Sequence, residues 1–306
     1  MGTIKDLSGN KRNDRLIYMV SINDDITKYV KITPNSEPEY NAEINIYKEL
    51  NAYMKNDKKI KNKILKICNN DFIDNICNDI ELRLYENITC NLTFENSKNV
   101  KKLYKTYDNH RKNYKIQYLV TEYNDNYIPI QDDKKYFLTK YNEYPEKIHI
   151  LLEKLFTTLI YLNKNFGFIH WDLHTGNLLI NKKTCTDFLL YDFDMAETNL
   201  VKNDTFFERY ADEINGSIDI KKIIEQLNID KTYEEKRKIY GLATDFLTFF
   251  FGCKCKLEID INVDYFTSPL IKKIVKKMNK INYSDNEDMF NTAIPLLCKS
   301  IVKYIN

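Results

Sequence analysis

The chain begins with short apolar runs separated by polar turns. The runs TIKDL, RLIYMVSI and TKYVKI are rich in β-branched and aromatic residues, and the polar stretches SGNKRND and NDD lie between them. Runs of this length and composition favour β-strands bounded by turns. We therefore predict a three-strand meander over the first 32 residues.

A helical repeat follows Pro38, and a helix can begin there because proline is tolerated at the first helical position. Three apolar residues recur on one face of this predicted helix, and Glu43 shares that face. A carboxylate on an apolar face needs a partner. Two alternatives are that Glu43 lies partly in water and that Glu39, one turn earlier, takes its role. The three apolar residues are Tyr47, Leu50 and Met54.

The pattern changes in the middle of the chain. Residues 55–113 are polar and weakly periodic, so we predict irregular structure there, with a strand or hairpin near IELRLYENITCNLTF. YKIQYLVTEY predicts a strand, and NDNYIPIQDD predicts a loop. From Pro145 an apolar stripe of helical period extends to about Phe166, and Gly167 suits the position that ends a helix.

The remainder of the chain is mostly helical. Short strands are predicted for FIH, LLI and FLLYDFD. Helices are predicted for SIDIKKIIEQL, TYEEKRKIYGLATDFLTFFFG, PLIKKIVKKM and MFNTAIPLLCKSIVKYI. A strand-rich part followed by a helix-rich part predicts an α+β protein of two lobes.

Composition narrows the expected partners. The 306 residues carry 46 Lys and Arg against 44 Asp and Glu, a net charge of +2, so we expect neither a nucleic-acid nor a membrane partner. The seven cysteines form no C-x-x-C pair, which indicates free thiols in a reducing compartment. The N-terminus has no signal-peptide pattern, and the longest apolar run, FLTFFFGC, is too short to span a bilayer. We therefore expect a cytoplasmic location.

The densest polar cluster lies in the stretch FGFIHWDLHTGNLLI. It contains His170, Asp172, His174 and Asn177, and Asp192 ends a predicted strand shortly afterwards. Amide and carboxylate oxygens from two segments suit Mg²⁺, and a further aspartate can accept a proton from a hydroxyl. The alternative is a plain turn in which Asp and Asn act as caps.

Polar residues in the first lobe suit phosphate binding. Lys31 lies in the third predicted strand, where its ammonium group could contact phosphates and Glu43 could hold it in place. Ser8, Gly9 and Asn10 form the turn between the first two strands, where backbone N–H groups could cover phosphates. An exposed strand lysine is the alternative for Lys31.

These segments resemble the protein-kinase-like superfamily. HWDLHTGN followed by YDFD resembles the H-x-D-x-x-x-x-N and D-F-G motifs of that superfamily. YVKI resembles its third-strand lysine motif, AEINIY its helix-C glutamate, and YLVTEY the strand that leads to the adenine hinge. The resemblance implies a bilobal fold: a small antiparallel-sheet N-lobe with helix C in residues 1–124, and a larger helical C-lobe in residues 125–306.

The resemblance also implies roles for individual residues, with ATP and Mg²⁺ as cofactors. Asp172 would be the catalytic base, while Asn177 and Asp192 would hold Mg²⁺. Lys31 would hold the α- and β-phosphates and pair with Glu43. The other implied roles are His170 as a brace of the loop, Thr121 as gatekeeper, Glu122, Tyr123 and Asn124 as the adenine hinge, and Asp219, with Asp245 as second candidate, as the aspartate that braces the loop from a helix.

Four departures from the superfamily pattern change what it implies. Gly9 alone represents the usual glycine-rich loop. Trp171 replaces an arginine that pairs with an activation phosphate, so no phosphate-dependent latch is expected. Asp194 replaces the glycine of D-F-G, and with it a residue that tolerates positive φ. His174 replaces a catalytic lysine, a feature similar to aminoglycoside and choline kinases and to several atypical, viral-type protein kinases.

Taken together, the sequence predicts an atypical, viral-type serine/threonine protein kinase that transfers the γ-phosphate of MgATP to a protein substrate. A kinase of small-molecule hydroxyls is the first alternative, argued from His174. A nucleotide-binding pseudokinase scaffold is the second, argued from the lone Gly9. If the chain is viral, the expected location is the host cytoplasm. The sequence does not indicate an oligomeric state.

Overall fold

The chain folds into small antiparallel sheets and a larger set of helices, as predicted for an α+β protein. This computed structural model describes residues 3–6, 16–22, 26–34, 38–66, 116–122, 124–204, 206–207, 219–281 and 289–305. Contacts divide the chain into two compact units. The first contains Met1–Ala52 and Leu65–Asp125, and the second contains Tyr53–Ile64 and Asn126–Asn306.

The first unit contains a four-stranded antiparallel sheet. Its strands are β1 (Thr3–Asp6), β2 (Leu16–Ile22), β3 (Ile26–Pro34) and β4 (Ile116–Glu122), in that order. The predicted three-strand meander is therefore confirmed. On β3, Lys31 lies opposite Ile17 of β2 and Leu119 of β4, so it has a central place in the sheet.

The helix predicted after Pro38 is present as α1 (Pro38–Asn56). Its buried face carries the three predicted apolar residues together with Ile46. Glu43 is buried on the same helix, as the sequence pattern predicted. Burial of this face against the rest of the protein stabilises the helix, because isolated helices of this length are marginal in water.

A second, three-stranded antiparallel sheet lies in the second unit. It consists of β5 (Tyr127–Pro129), β6 (Leu178–Asn181) and β7 (Phe188–Leu190), with β6 in the centre. The loop prediction for NDNYIPIQDD was wrong, since this stretch forms β5 and a 3₁₀ turn, Ile130–Asp133. The partner of β5 lies some fifty residues further along the chain, and local sequence does not reveal such a pairing.

Two strand predictions near the polar cluster also need correction. FIH is not a strand, because Ile169 makes only an isolated bridge, with Glu197. The strand in FLLYDFD ends at Leu190, so Asp192 follows a strand end instead of lying inside it. The apolar residues of both stretches are mostly buried, and this burial accounts for the apolar pattern that predicts a strand. Burial alone does not pair a stretch with a neighbouring strand.

The second unit is otherwise helical. The long predicted helix is α3 (Pro145–Phe166), and Gly167 ends it in the left-handed conformation, with φ 64°. A side chain at residue 167 would also collide with Asn199. The helix that precedes α3, α2 (Lys134–Glu143), was not predicted from the sequence.

The later helices follow the predicted apolar patterns with some changes at their ends. They are α4 (Ile220–Glu225), α5 (Tyr233–Phe251), α6 (Pro269–Met278) and α7 (Ile294–Ile305). α5 is buried on almost every side and packs against α3, where Phe246 lies 4.3 Å from Phe156 between ring centroids. Among the helices that the structure describes, none has the length and apolar composition needed to cross a membrane.

Candidate functional site

The polar cluster forms a tight loop between α3 and β6, closed by hydrogen bonds within itself. The Asn177 side-chain nitrogen donates to the Asp172 carbonyl oxygen at 2.8 Å and lies 3.4 Å from the Asp172 carboxylate. The backbone N–H of His174 donates to the Asp172 carbonyl, and that of Asn177 to the His174 carbonyl. The Asp172 side chain stays 31% exposed although most of the loop is buried. The loop therefore presents one carboxylate to solvent from a rigid frame.

His174 lies beside this carboxylate in a defined tautomer. Its Nδ1 accepts the backbone N–H of Gly176 at 2.9 Å, so in the neutral ring the proton is on Nε2. Nε2 is 4.0 Å from the nearer Asp172 carboxylate oxygen, and the His174 side chain is 36% exposed. The loop thus presents a nitrogen donor next to the candidate base.

His170 and Asp245 support the loop from the interior. His170 is fully buried, and burial lowers its pKa, so the ring is neutral and its Nε2 donates to the Tyr191 carbonyl at 3.0 Å. Its backbone N–H donates to the Asp245 carboxylate at 2.8 Å. Burial raises the pKa of the Asp245 carboxyl well above its ordinary value. His170 therefore has the bracing position that the sequence comparison implied.

The first choice for the bracing aspartate was wrong. Asp219 is exposed and caps the start of α4, where its side chain accepts the Lys222 N–H. Asp245, the second candidate, occupies the bracing position from the buried interior of α5. An aspartate directly before a helix is favoured as a cap, so Asp219 is used locally.

The bracing role of Asp245 can be tested by measuring the free energy of unfolding of variants. We expect Asp245→Ala to lower the free energy of unfolding by about 1–3 kcal/mol, because it leaves the buried His170 backbone N–H without its acceptor. Asp245→Asn should lose less, since the amide oxygen still accepts. Urea unfolding followed by circular dichroism measures both variants. Equal losses for Ala and Asn would contradict the bracing role.

Asp192 is placed by a strained bend after β7. Its φ is 62°, a conformation that costs a non-glycine residue free energy and recurs at functional sites. Phe193 is buried against the rings of Phe168 and His170. Asp194, where a glycine was expected, does not have a positive φ, so the D-F-D sequence fits this backbone without a glycine.

The oxygen donors at the loop suit the Mg²⁺ ion that the resemblance implies. Because the Asn177 amide nitrogen donates to the Asp172 carbonyl, its amide oxygen points the other way and is oriented as a ligand. The Asp192 carboxylate supplies oxygens of the same hard type, which is the type of donor that Mg²⁺ takes from a few protein ligands. The residues present therefore fit the ion, while their assignment to it stays a prediction.

In the first unit, the predicted partners Lys31 and Glu43 form a buried ion pair. The Lys31 Nζ lies 2.9 Å from one Glu43 carboxylate oxygen and 3.1 Å from the other. This pairing explains why a carboxylate lies on the apolar face of α1. The role of Lys31 toward phosphates stays a prediction.

The predicted adenine-binding residues lie at the end of β4. Thr121 is buried there, while Glu122 is exposed and its backbone N–H donates to the Lys66 carbonyl at 2.9 Å. Asn124 is exposed. Tyr123, the turn of Ser8, Gly9 and Asn10, and the strand or hairpin predicted near residues 80–94 lie outside the described residues.

Two contacts at the site were not anticipated from the sequence. The Tyr191 hydroxyl donates a short hydrogen bond to the Gly176 carbonyl and so joins the loop to the residue before Asp192. Arg237 of α5 binds Glu197 and Asp204, which follow the D-F-D stretch. Sequence signals for both are weak, because a tyrosine beside a motif and an arginine in a helix are ordinary features.

Comparison with known proteins gives one family. The family model for the ABC1 atypical kinase-like domain matches residues 46–212, more than half of the chain. The match includes the loop from His170 to Asn177 and the D-F-D stretch, and it begins just after Glu43. Among curated proteins, none matches the sequence significantly.

Proposed function

Because the chain belongs to the ABC1 atypical kinase-like family, we propose that it is a phosphotransferase that uses MgATP to phosphorylate a hydroxyl group. This family has a protein-kinase-like fold, and such a fold suggests a scaffold that binds ATP. We further propose that the fold is bilobal, that α1 is its helix C and that the acceptor is Ser or Thr on a protein.

One observation carries the proposal: Asp172 is a carboxylate kept accessible on a rigid, mostly buried loop. Hydrogen bonds of Asn177 and of the loop backbone hold this residue in place, and His170 and Asp245 support the loop backbone from the buried interior. A base must be both oriented and reachable to accept a proton from an acceptor hydroxyl. Phosphoryl transfer relies mainly on such positioning and on charge neutralisation.

The other proposed groups would compensate the negative charge of the phosphates. Bound Mg²⁺ would neutralise phosphate charge, with Asn177 and Asp192 as the residues that hold it. Lys31 supplies a cation whose position Glu43 fixes within the first unit. A buried and paired lysine keeps its ammonium group in one place and can bind phosphates without reorganisation.

A small-molecule hydroxyl is the second candidate acceptor, and His174 is the observation that favours it. His174 replaces the lysine of ordinary protein kinases, a feature similar to aminoglycoside and choline kinases, and it lies partly exposed beside Asp172. The protein acceptor remains our first proposal because helix follows helix after residue 219, without a strand, in the described residues 219–281 and 289–305. We also keep a cytoplasmic location as a proposal, based on the lack of C-x-x-C pairs in the sequence.

The test is incubation with γ-labelled ATP and Mg²⁺, in the presence of a generic protein substrate or of a panel of amino-alcohol and aminoglycoside acceptors. We expect label on protein Ser or Thr in the wild type and none with Asp172→Asn. Label on a small acceptor would establish the second candidate instead. Nucleotide binding without transfer to any acceptor would contradict the phosphotransferase proposal and indicate a scaffold.

A further inference from the structure

A buried arginine joins several parts of the segment that follows the D-F-D stretch. Arg237 of α5 is only 6% exposed. Its Nε and Nη2 bind the two carboxylate oxygens of Glu197 at 3.0 and 2.5 Å, and its Nη1 binds Asp204 at 2.9 Å. Nη2 also donates to the Asn203 carbonyl at 3.1 Å. One guanidinium therefore fixes both ends of residues 197–204.

The same arginine supports an aromatic stack. Its guanidinium carbon lies 4.5 Å from the ring centroid of Phe207, a cation–π distance. Phe206 stacks on Trp171 at 4.4 Å with an interplanar angle of 23°, and Phe207 meets Trp171 edge-on at 5.3 Å. The contacts thus run from Arg237 through Phe207 and Phe206 to Trp171, directly before Asp172.

Trp171 is held in a conformation that a bulky residue rarely adopts. Its φ is 63°, in the left-handed region, and the surroundings must offset the free-energy cost of this conformation. The Phe206 and Phe207 rings hold its side chain, and Asp245 accepts the backbone N–H of the preceding residue, His170. Relaxation of this φ would rotate the peptide that orients Asp172.

A second connection runs through the backbone. Glu197 and Ile169 exchange two backbone hydrogen bonds, at 3.0 and 2.9 Å, so Glu197 also supports the chain just before His170. Arg237 binds the side chain of that same Glu197. Both sides of the His170–Trp171 pair therefore depend on residues that Arg237 fixes.

We propose that Arg237 is a positioning residue for the proposed phosphoryl transfer. It fixes residues 197–204 and Phe207, these hold Trp171 in its strained backbone conformation, and Trp171 in turn fixes the direction of the Asp172 carboxylate. Arg237 acts without touching nucleotide or acceptor. The effect on rate rests on the proposed function, whereas the coupling of Arg237 to Trp171 does not.

The chain offers a direct readout, because Trp171 is its only tryptophan. Intrinsic tryptophan emission therefore reports on this residue alone. In Arg237→Met, which keeps much of the side-chain volume but none of the five donors, we expect red-shifted emission and stronger acrylamide quenching in a protein that is folded by circular dichroism. Arg237→Lys keeps the charge but not the fork geometry, so we expect an intermediate result.

Kinetics separate positioning from general weakening. We expect kcat of Arg237→Met to fall by about 10²-fold, the scale of a small misplacement of a reacting group, with KM for ATP changed only a few-fold. Lys202→Met is the matched control, because it removes an exposed ion pair with Glu234 next to the same segment. Its emission and kcat should match wild type.

Unchanged Trp171 emission in folded Arg237→Met would overturn the proposal, as would a fall in kcat that Lys202→Met reproduces. If Arg237→Met does not fold, Asp204→Asn decides the question, since it weakens the Arg237 contact at Nη1 and leaves the Glu197 pair intact. We expect it to shift the emission in the same direction by less, and unchanged emission in this variant would overturn the proposal. A wild-type protein without transferase activity would contradict the proposed function but would leave the emission test valid.

Discussion

Replacement of Asp172 by asparagine is expected to lower kcat for phosphoryl transfer by about 10²–10⁴-fold, the range that loss of a positioned general base produces. The change preserves size and leaves the loop intact, because the Asn177 amide donates mainly to the Asp172 backbone carbonyl. The substitution removes the negative charge and, with it, the ability to accept a proton. We therefore expect the affinity for MgATP, measured by calorimetry, to stay within a few-fold of wild type.

The control for this experiment is Asp187→Asn. Asp187 lies in the turn before β7 and forms a half-exposed ion pair with Lys154, so the substitution makes the same chemical change in the same part of the second unit. It should leave kcat near the wild-type value. Wild-type activity in Asp172→Asn would show that another group accepts the proton and would contradict the assignment of Asp172 as the base.

The hydrogen bonds of His174 suit it to a different role from that of the base. The Gly176 N–H occupies its Nδ1, so the neutral ring can offer only an N–H on the other nitrogen. That N–H faces the Asp172 side and suits donation to a carboxylate or a phosphoryl oxygen. A histidine bound in this way is better suited to donate a hydrogen bond than to accept a proton at Nδ1.

The parts of the fold that sequence predicted are those with strong local signals. α3 begins and ends at the predicted residues because a proline starts it, an apolar stripe runs through it and a glycine with positive φ ends it. The polar loop was located from the spacing of its His, Asp and Asn residues, because the proposed reaction requires these residue types at these positions. The Lys31–Glu43 pair was anticipated because a carboxylate on an apolar helix face needs a partner.

The parts that sequence missed depend on contacts between distant segments. α2 has few apolar residues, and its tyrosines are fixed from elsewhere: Tyr136 donates to the Lys182 carbonyl and Tyr141 to that of Cys185. Arg237 and Glu197 are forty residues apart, and neither pattern nor motif links them. Asp219 was preferred to Asp245 because a helix pattern alone does not tell which aspartate is buried.

A double-mutant cycle on Lys31 and Glu43 is the second test with a large expected effect. We expect Lys31→Met to lower kcat/KM for ATP by about 10²–10³-fold, the loss typical of removing one preorganised charge donor in an active site. Glu43→Gln should cause a smaller loss, because the ammonium group remains but its direction is less fixed. Steady-state kinetics on the two single variants and the double variant measure these terms.

The cycle distinguishes a working pair from two independent residues. If Glu43 acts by holding Lys31, its substitution has nothing left to disturb once Lys31 is methionine, so the double variant should be no slower than Lys31→Met alone. Lys48→Met, on the exposed face of the same helix, should have wild-type kinetics. Additive losses would contradict the holding role, since contacts that act as one unit do not add.

Removal of both charges from this buried site should also lower the free energy of unfolding less than removal of Glu43 alone, because a buried charge that loses its counter-ion is the less stable state.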